Sequence, residues 1–403
     1  MLKIAFITTI ERNPGDAFIR AGIEYLIQQH IPYYLPIYVD KHDYRACGIR
    51  RNSHFCGLAR KLAGILTGNS PNRPDTFSIA DIVVQAGTPF YYISPGRDGT
   101  YARFTSSIST DWIQEVWLKR LFKLGKSVPI LNLAVGTCQP YHSDAAEFDL
   151  SPELVTFIRR TCEDSKLTIV RENLAYQLLS RYGLQGYSLP CTAIFAPDFH
   201  QLFPEPGTFV CMNYMPGGAH YTLGQKVDFE GWERTFLALY EDLRKRHSVV
   251  VMCHSPSEVL KVRAMLPDAE TFFSTDYTAY LRMYAKASFG ILNRVHGAMV
   301  MAGMGKPAVV VGNDSRAKMA EMMGLPIYFV NDATQAQLNE HIANFEAHAD
   351  AWFERLMSKK AKARQEYLRL IGDALEGTIG SLEYASGYQK SDFDKVKKQI
   401  GGK

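Results

Sequence analysis

Residues 290–312 read Gly290-Ile-Leu-Asn-Arg-Val-His-Gly-Ala-Met-Val-Met-Ala-Gly-Met-Gly-Lys-Pro-Ala-Val-Val-Val-Gly312 and decide the fold. The apolar opening of this stretch predicts a buried strand that delivers Arg294 and His296 to its carboxyl end. Gly297 then opens a helical pattern of small residues that can pack closely on a sheet, and a second apolar run follows over 308–311. A strand, a helix and a strand in immediate succession are typical of a parallel sheet covered by helices.

The same alternation of β-branched runs and helical patterns continues on both sides of this stretch. Before residue 200, strands are predicted near 3–9, 34–40, 81–86, 128–135, 167–171 and 186–189. After it, strands are predicted near 208–213, 248–253, 270–273, 289–292, 308–311 and 326–330. The segment 200–207 between the two sets contains Pro204, Pro206 and Gly207 and has the composition of a linker.

We therefore expect an α/β protein with two doubly wound Rossmann-like domains, the architecture called GT-B-like, and a C-terminal helical segment. The expected N-terminal domain covers 1–200, the C-terminal domain covers 208–333, and the helical, basic segment covers 334–403. Ligands of doubly wound sheets bind outside the carboxyl ends of the strands. The cleft between the two domains is thus the expected site. In a transferase of this architecture the N-terminal domain would be the side of the acceptor substrate and the C-terminal domain the side of the donor substrate.

Composition narrows the class of protein. The chain has 403 residues, with 45 basic and 41 acidic side chains and a formal charge of +4, which gives no sign of nucleic-acid binding. Its seven cysteines form no Cys-x-x-Cys pair, so neither a disulfide framework nor a ribbon-type zinc site is predicted. No uncharged apolar run approaches the roughly 20 residues that span a bilayer. We expect a cytoplasmic protein, with the inner face of the membrane as the alternative location.

Cationic side chains follow the predicted strands of the second domain. Arg294, His296 and the helix N-terminal amides at Gly297 would form a compact anion site, because a guanidinium holds phosphate or carboxylate through two hydrogen bonds. The alternative is that Arg294 pairs with an interior carboxylate and that His296 is a core histidine. Beyond the next strand, Arg316 and Lys318 supply two more cations for a phosphate or substrate contact.

Polar residues also follow predicted strands elsewhere in the chain. Asn13 and Asp16 lie in the first turn between a strand and a helix, where they would either bind acceptor hydroxyls or form a turn and a helix cap. Arg171 ends the strand predicted over 167–171 and is placed to hold an anion. Asp314 either caps the helix that follows it or belongs to the site.

Several of these motifs occur together in a known family. They are Asn13-x-Gly15-Asp16, Arg171-Glu172-Asn173, Pro197-Asp198, Arg294-Val-His-Gly297, Gly305-Lys-Pro307 and Asp314-x-Arg316. With them the chain resembles the polysaccharide pyruvyl transferase family over about residues 3–330. The resemblance implies a GT-B-like transferase that moves the enolpyruvyl carbons of phosphoenolpyruvate onto saccharide hydroxyls, usually as a cyclic ketal, in polysaccharide or glycoconjugate biosynthesis. It also implies that Arg171, Arg294 and His296 contact the donor.

The residue types suit such a donor. Phosphoenolpyruvate carries a carboxylate and a phosphate, so its site needs several fixed cations and hydrogen-bond donors. These can be supplied without a metal, and no cofactor is expected beyond phosphoenolpyruvate itself as co-substrate. The predicted donor-binding residues are Arg171, Arg294, Gly297, Arg316 and Lys318.

Ketal formation also needs proton transfer to the methylene carbon and from the attacking hydroxyl. A histidine with a pKa near neutrality can serve either step, so His296 is the predicted catalytic residue and Asp16 its weaker partner. Asn13 and Asp16 are the predicted acceptor contacts. The acceptor is expected to be a saccharide, either soluble or lipid-linked.

Two other classes of function stay open at this point. A GT-B glycosyltransferase that uses a nucleotide-sugar donor often carries a Glu-x7-Glu pair, and Glu233 with Glu241 or Glu346 with Glu354 fits that spacing. Neither pair directly follows 290–312, which favours a chance match. A carbohydrate-binding protein without catalysis is the other alternative, and the ligand-edge arginines and histidine count against it.

Two basic stretches, 41–61 and 355–369, contain basic residues that are not part of the predicted site. Each is either a solvated surface or a face that meets anionic lipids, which would suit a lipid-linked acceptor. The first stretch also contains four candidate metal ligands whose spacing matches no common zinc pattern, namely His42, Cys47, His54 and Cys56.

Overall fold

The computed structural model describes residues 1–10, 13–41, 77–91, 113–124, 127–148, 150, 152–376 and 378. Within these residues the chain forms two six-stranded parallel sheets. The first sheet contains β1 (Leu2–Thr8), β2 (Tyr34–Asp40), β3 (Ile82–Ala86), β4 (Ile130–Val135), β5 (Leu167–Val170) and β6 (Tyr187–Ser188). The second contains β7 (Phe209–Met212), β8 (Val249–Met252), β9 (Glu270–Phe272), β10 (Ala287–Leu292), β11 (Ala308–Gly312) and β12 (Ile327–Phe329). The predicted GT-B-like α/β class is confirmed, and each predicted strand is present.

The strand order creates a crevice within each sheet. The first sheet has the order β2-β1-β3-β4-β5-β6, and the second has the order β12-β11-β10-β7-β8-β9. The winding therefore reverses between β1 and β3 and again between β7 and β10, and ligands of such sheets bind at the carboxyl ends of the strands beside the reversal. Asn13 and Asp16 follow β1, while Arg294 and His296 follow β10. These four predicted site residues thus lie at the two reversals.

Helices cover both sheets, and in the described part of the chain two more helices follow the last strand of the second sheet. The helices of eight or more residues are α1 (Pro14–Gln28), α2 (Ile113–Leu121, a π-helix), α3 (Pro152–Glu163), α4 (Asn173–Arg181), α5 (Phe229–Leu243), α6 (Pro256–Met265), α7 (Tyr277–Lys286), α8 (Val295–Gly303), α9 (Gln335–Ala347) and α10 (Ala349–Leu375). Shorter α-helical and 3-10 segments cover Phe122–Leu124, Ala145–Glu147, Thr192–Phe195, Ala196–Phe199 and Pro216–Gly218, and a 3-10 segment of nine residues covers Ser315–Met323. The predicted C-terminal helical segment is confirmed over 335–375 as α9 and α10, and residues 379–403 of the predicted segment lie outside the described residues.

One of the two apolar clusters among the described residues joins the two sheets. Ile194 and Phe195, from the short segment that follows β6, belong to the same buried cluster as Phe18 of α1 and Met299 of α8. The hydroxyl of Thr192 also donates to the carbonyl of residue 19 in α1, at 3.0 Å. Because α1 and α8 pack on one segment, the first turns of these two helices are held close together at the cleft.

Helix α10 packs across both sheets, and most of its basic side chains form hydrogen bonds or ion pairs. Lys360 Nζ lies 2.7 Å from Asp198 Oδ2 and 2.7 Å from the carbonyl oxygen of Gly303. Tyr367 donates to the carbonyl of Pro190 at 3.0 Å. Arg364 donates to Tyr25 Oη in α1, Lys359 to the carbonyl of Met322, Arg355 to the carbonyl of Gly324, and Arg369 to Glu366 and Asp373. These side chains stabilise the packing of the helix, so this part of the basic surface is smaller than the sequence suggests.

The part of the chain that the structure describes contains no helix that is both long and apolar enough to cross a bilayer. Of the basic stretch 41–61, only Lys41 is described. The candidate metal ligands His42, Cys47, His54 and Cys56 lie outside the described residues.

Candidate active site

The first turns of α1 and α8 are in direct contact at the cleft. Gly15 is the second residue of α1, and a Cβ atom built on it would lie only 2.6 Å from Nδ1 of His296. A larger residue would push the imidazole away, so glycine is required for this close approach. The structure therefore brings the predicted catalytic histidine beside the turn that carries Asn13 and Asp16.

His296 also contacts Arg171, which comes from the other sheet. Nη1 of Arg171 lies 3.3 Å from Nε2 of His296. Because a guanidinium can only donate, Nε2 is the acceptor and the neutral ring is assigned its proton on Nδ1. Partial burial and the charge of Arg171 lower the pKa of His296 to about 3, against the opposing effect of Asp16. The pKa of His296 is therefore not near neutrality, although the sequence led us to expect a near-neutral value. The sequence could not show this, because Arg171 and His296 are far apart in the chain and meet only in the folded protein.

Asp16 is held in its ionised form by Lys41. Nζ of Lys41 lies 3.4 Å from Oδ2 of Asp16 and also contacts the hydroxyl of Thr88. Burial by itself would raise the pKa of Asp16, but the charge of Lys41, together with smaller effects of Thr9, His296 and Arg171, lowers it to about 2. Asp16 is thus a fixed negative charge and not a proton donor at physiological pH.

Asn13 acts as the cap of α1. Its side-chain oxygen accepts a hydrogen bond of 3.0 Å from the backbone N–H of Gly15, which is one of the two roles predicted for it. Lys41 is a site residue that the sequence pattern does not single out, since it stands at the start of a long basic stretch. Its position directly after β2, at the same sheet edge as Asn13, is the signal that could have identified it.

Arg171 is buried at the end of β5 and is 1% exposed. Its Nε is buried and has no hydrogen-bond partner among the described residues. The neighbouring Glu172 is also buried and accepts hydrogen bonds from the backbone N–H and the hydroxyl of Thr137. Burial raises the pKa of Glu172 to about 7, although those bonds and Arg171 oppose the shift. The Thr137 hydroxyl lies 2.8 Å from that of Ser315, so this cluster links the turn after β4 to the segment after β11.

Arg294 belongs to the opposite side of the cleft, where it precedes α8. Its backbone N–H donates to Oδ1 of Asn213 at 3.0 Å, which joins the two strands at the reversal of the second sheet. Its guanidinium contacts the carboxylate of Glu258 and donates to Nε2 of His220 at 2.7 Å. The pairing with an interior carboxylate, which the sequence leaves open, is thus present. Nε of Arg294 is nevertheless buried without a partner among the described residues.

Glu258 and His220 are functional candidates that the sequence pattern does not reveal. Glu258 lies in the first turn of α6, directly after β8, and His220 lies in the loop after β7. Both follow strands at the ligand edge of the second sheet, and that position is the signal that could have identified them.

The segment after β11 carries an internal ion pair. Nε and Nη2 of Arg316 donate to the two carboxylate oxygens of Asp314 at 2.9 and 2.6 Å. Asp314 also accepts from the backbone N–H of Arg316 at 3.0 Å, so it is the helix cap that the sequence allows. Nζ of Lys318 lies 5.3 Å from the ring centre of Tyr141 in the other half of the molecule. Both cations are therefore near the cleft, and Arg316 is already paired.

Gly297 has a role in packing. Its backbone N–H donates to the carbonyl of Arg294 at 2.8 Å and is not free to bind an anion. A Cβ atom at this position would lie 2.5 Å from the hydroxyl of Tyr284, so the glycine allows α8 to lie close to α7. The residues of this turn that can contribute a side chain to an anion site are Arg294 and His296.

Two doubly wound parallel sheets with arginine and histidine side chains between their reversals define a GT-B-like protein. Two solved structures share this fold across most of the chain. One is a co-structure of S. aureus MnaA with UDP. The two sequences are 15% identical, the match covers 93% of this chain and 97% of that chain, and the TM-score is 0.54. The other is UDP-GlcNAc 2-epimerase from Neisseria meningitidis bound to UDP-GlcNAc, which is 10% identical, covers 92% of this chain and 99% of that chain, and has a TM-score of 0.50. At these identities the likeness is one of fold alone.

The profile of the family described as polysaccharide pyruvyl transferase matches residues 13–315. The chain belongs to that family of enzymes. None of the curated proteins matches the chain. The matched span contains Asn13, Asp16, Arg171, Arg294 and His296, and it ends just before Arg316.

Proposed function

We propose that this protein transfers a pyruvyl group from phosphoenolpyruvate to the hydroxyls of a saccharide as a ketal. The observation that carries the proposal is the 3.3 Å contact between Arg171 and His296, which joins the two sheets at the cleft. A small donor with two anionic groups needs fixed cations around a group that can move a proton. Arg294 and Arg316 lie near the same cleft, and the family of the chain supports the same assignment.

At C2 of the donor the proposed reaction forms two C–O bonds and breaks two bonds, the C–O bond to the phosphate and the π bond to the methylene carbon. Two saccharide hydroxyl oxygens become bonded to C2 of phosphoenolpyruvate, and the bond between C2 and the phosphate oxygen breaks. The two hydroxyl groups lose two protons in all. One proton is added to the methylene carbon, which becomes a methyl group. The other leaves with the inorganic phosphate. The chemistry therefore needs a proton delivered to carbon and a proton removed from oxygen, without any oxidant or reductant.

Arg171 is the cation that we expect to hold the donor most tightly. It is always charged, it is buried, and its Nε has no partner among the described residues. A carboxylate or phosphate would be bound there through two parallel hydrogen bonds. Arg294 and Arg316 add positive charge, but each is already paired with a carboxylate, so we expect their shares of donor affinity to be smaller.

His296 would deliver a proton only after the donor has bound. Next to Arg171 its imidazole is neutral at physiological pH. The negative charges of a bound donor would offset that guanidinium and raise the pKa of His296, so that the ring is protonated in the complex. Asp16 would stabilise the resulting imidazolium and keep it oriented, which replaces the proton-transfer role that the sequence suggests for this carboxylate.

A nucleotide-sugar glycosyltransferase is less well supported by the site. The Glu-x7-Glu spacings would require glutamates at the donor cleft. One glutamate of each spacing instead forms an ion pair with a partly exposed arginine, Glu241 with Arg244 and Glu346 with Arg246.

Ligand stabilisation distinguishes the two functions. We expect phosphoenolpyruvate to raise the melting temperature, because a ligand at 100 times its Kd stabilises the native state by about 2.7 kcal/mol. The shift should survive addition of EDTA, since side chains supply the positive charge. Inorganic phosphate release and a pyruvyl mass gain should then appear with a panel of methyl glycosides. Stabilisation by UDP- or GDP-sugars but not by phosphoenolpyruvate would instead identify a glycosyltransferase.

Binding to anionic liposomes would show whether the proposed saccharide acceptor is presented at a membrane. Such attraction is worth about 1 kcal/mol per basic residue near the surface and decays within a Debye length. Most basic residues of α10 are already paired, so we expect sedimentation with the liposomes at low salt to depend mainly on 41–61. Lys362→Glu changes an exposed lysine of α10 that is not among those pairs, and its effect should be limited to the change of charge at that one position. Protein that stays in the supernatant at low salt would favour a soluble acceptor.

A further inference from the structure

A cavity of about 430 Å³ lies in the second half of the molecule, close to Arg294. It opens to solvent and is bordered by the loop after β7, the first turn of α6 and the segment after β11. The lining residues that matter here are His220, Tyr221, Phe229, Ser257, Glu258 and Asn313. Its volume falls in the range of about 300 to 1,000 Å³ that is usual for pockets that bind small molecules.

This cavity adjoins the proposed donor site through Arg294. His220 and Glu258 line it, and both of them contact the guanidinium of Arg294. Arg294 in turn precedes His296 by two residues in the turn that opens α8. A molecule in the cavity would thus be separated from a donor near His296 by little more than Arg294 and its partners.

The cavity wall offers aromatic faces and an unsatisfied amide. Tyr221 and Phe229 line it and are 52% and 47% exposed, so their rings are available for stacking. Asn313 is 1% exposed, and its Oδ1 has no hydrogen-bond partner among the described residues. A buried side-chain oxygen normally has a donor, and a ligand hydroxyl could supply one.

The charges around the cavity do not suit an anion. The carboxylate of Glu258 forms part of the wall. Lys261 also lines the cavity but pairs with Glu233 at 3.1 Å. The imidazole of His220 is neutral, because its Nε2 accepts a hydrogen bond from Arg294. A phosphate or a nucleoside diphosphate would therefore meet a wall whose described charges are negative or already paired.

We propose that this cavity binds an uncharged sugar ring of the acceptor. The apolar face of the ring would stack on Tyr221 and Phe229, and its hydroxyls would reach Asn313 and Ser257. The proposal rests on the proposed function and changes one part of the sequence-based prediction, because it moves the acceptor away from Asn13 and Asp16. Those two residues are already engaged in capping α1 and in pairing with Lys41.

The test compares exposed aromatic residues inside and outside the cavity. Tyr221→Ala and Phe229→Ala remove the proposed stacking faces. Tyr176→Ala and Phe203→Ala are matched controls, because those side chains are 40% and 77% exposed and do not line the cavity. The measurements are the acceptor KM for a methyl glycoside that serves as substrate, the Kd for phosphoenolpyruvate by calorimetry, and direct glycoside binding by saturation-transfer NMR.

We expect each cavity variant to raise the acceptor KM and to weaken glycoside binding about tenfold, with the Kd for phosphoenolpyruvate unchanged. The two controls should behave like the wild type. Unchanged acceptor KM and glycoside binding in both cavity variants would overturn the proposal, and so would uridine binding that is lost in those variants while glycoside binding is retained. If no glycoside is turned over, the NMR measurement still tests the cavity, whereas failure to bind phosphoenolpyruvate counts against the proposed function alone.

Discussion

Replacement of His296 by alanine is expected to lower kcat by about 10²- to 10⁴-fold while changing the affinity for phosphoenolpyruvate little. The physical reason is that the ring touches Arg171 from one sheet and the first turn of α1, so it lies where the proposed donor must react. His296→Gln keeps a hydrogen-bonding side chain but cannot carry the proton, and it should be equally slow. A glutamine variant with nearly wild-type turnover would show that His296 only orients the donor. His247→Ala, at an ion pair on the surface, is the matched control.

The pH dependence of this step follows from the charges around the ring. In the free protein the pKa of His296 is about 3, so this histidine should contribute no ionisation to kcat/KM between pH 5 and 8. The donor's negative charge raises that pKa in the complex, and kcat should be high below the raised pKa and fall as the pH rises through it. Calorimetry in two buffers of different ionisation enthalpy should detect proton uptake on donor binding. Equal uptake by the wild type and His296→Gln would contradict this assignment.

Substitution of Arg171 is expected to have the largest effect on donor affinity. A hydrogen bond to a charged group contributes about 1.5 to 3 kcal/mol, so loss of even one bond of the two-pronged contact should weaken phosphoenolpyruvate binding roughly 10- to 100-fold. Arg171→Lys keeps the charge but not the planar fork, and it should restore little of the affinity. Arg294→Lys should cause a smaller loss, because Glu258 and His220 already engage that guanidinium.

Because Arg171 is buried, a second measurement is needed to separate binding from folding. Arg171 is a main cause of the low pKa of His296, so Arg171→Lys should leave that pKa low and Arg171→Met should raise it. NMR titration of the histidine ring reports this directly in any variant whose thermal melting remains cooperative. Wild-type donor affinity in a folded Arg171→Met variant would remove this arginine from the donor site.

Most of the fold could be predicted from local patterns in the sequence. A β-branched run such as 308–311 is fully buried in a parallel sheet that is covered on both faces, so its composition reveals the strand whatever its neighbours are. The carboxyl ends of parallel strands lie at one edge of each sheet, and that rule alone places Arg171, Arg294, His296 and the turn at Asn13 near a cleft. The strand orders are not contained in such patterns, since each strand would look the same in either position.

The partners of these residues were decided by the tertiary structure. The contact of Arg171 with His296 joins residues 125 positions apart, and the ion pair of Arg294 with Glu258 joins residues 36 apart. The lysines of α10 show the same limit, because their spacing predicts an exposed face and Lys360 is nevertheless buried against Asp198. Sequence periodicity indicates on which face of its own helix or strand a side chain lies, but not which other element packs against that face. The pKa of His296, the cap at Asn13 and the cavity beside Arg294 depend on how the two sheets are packed against each other, and that packing is set by the whole core between α1 and α8.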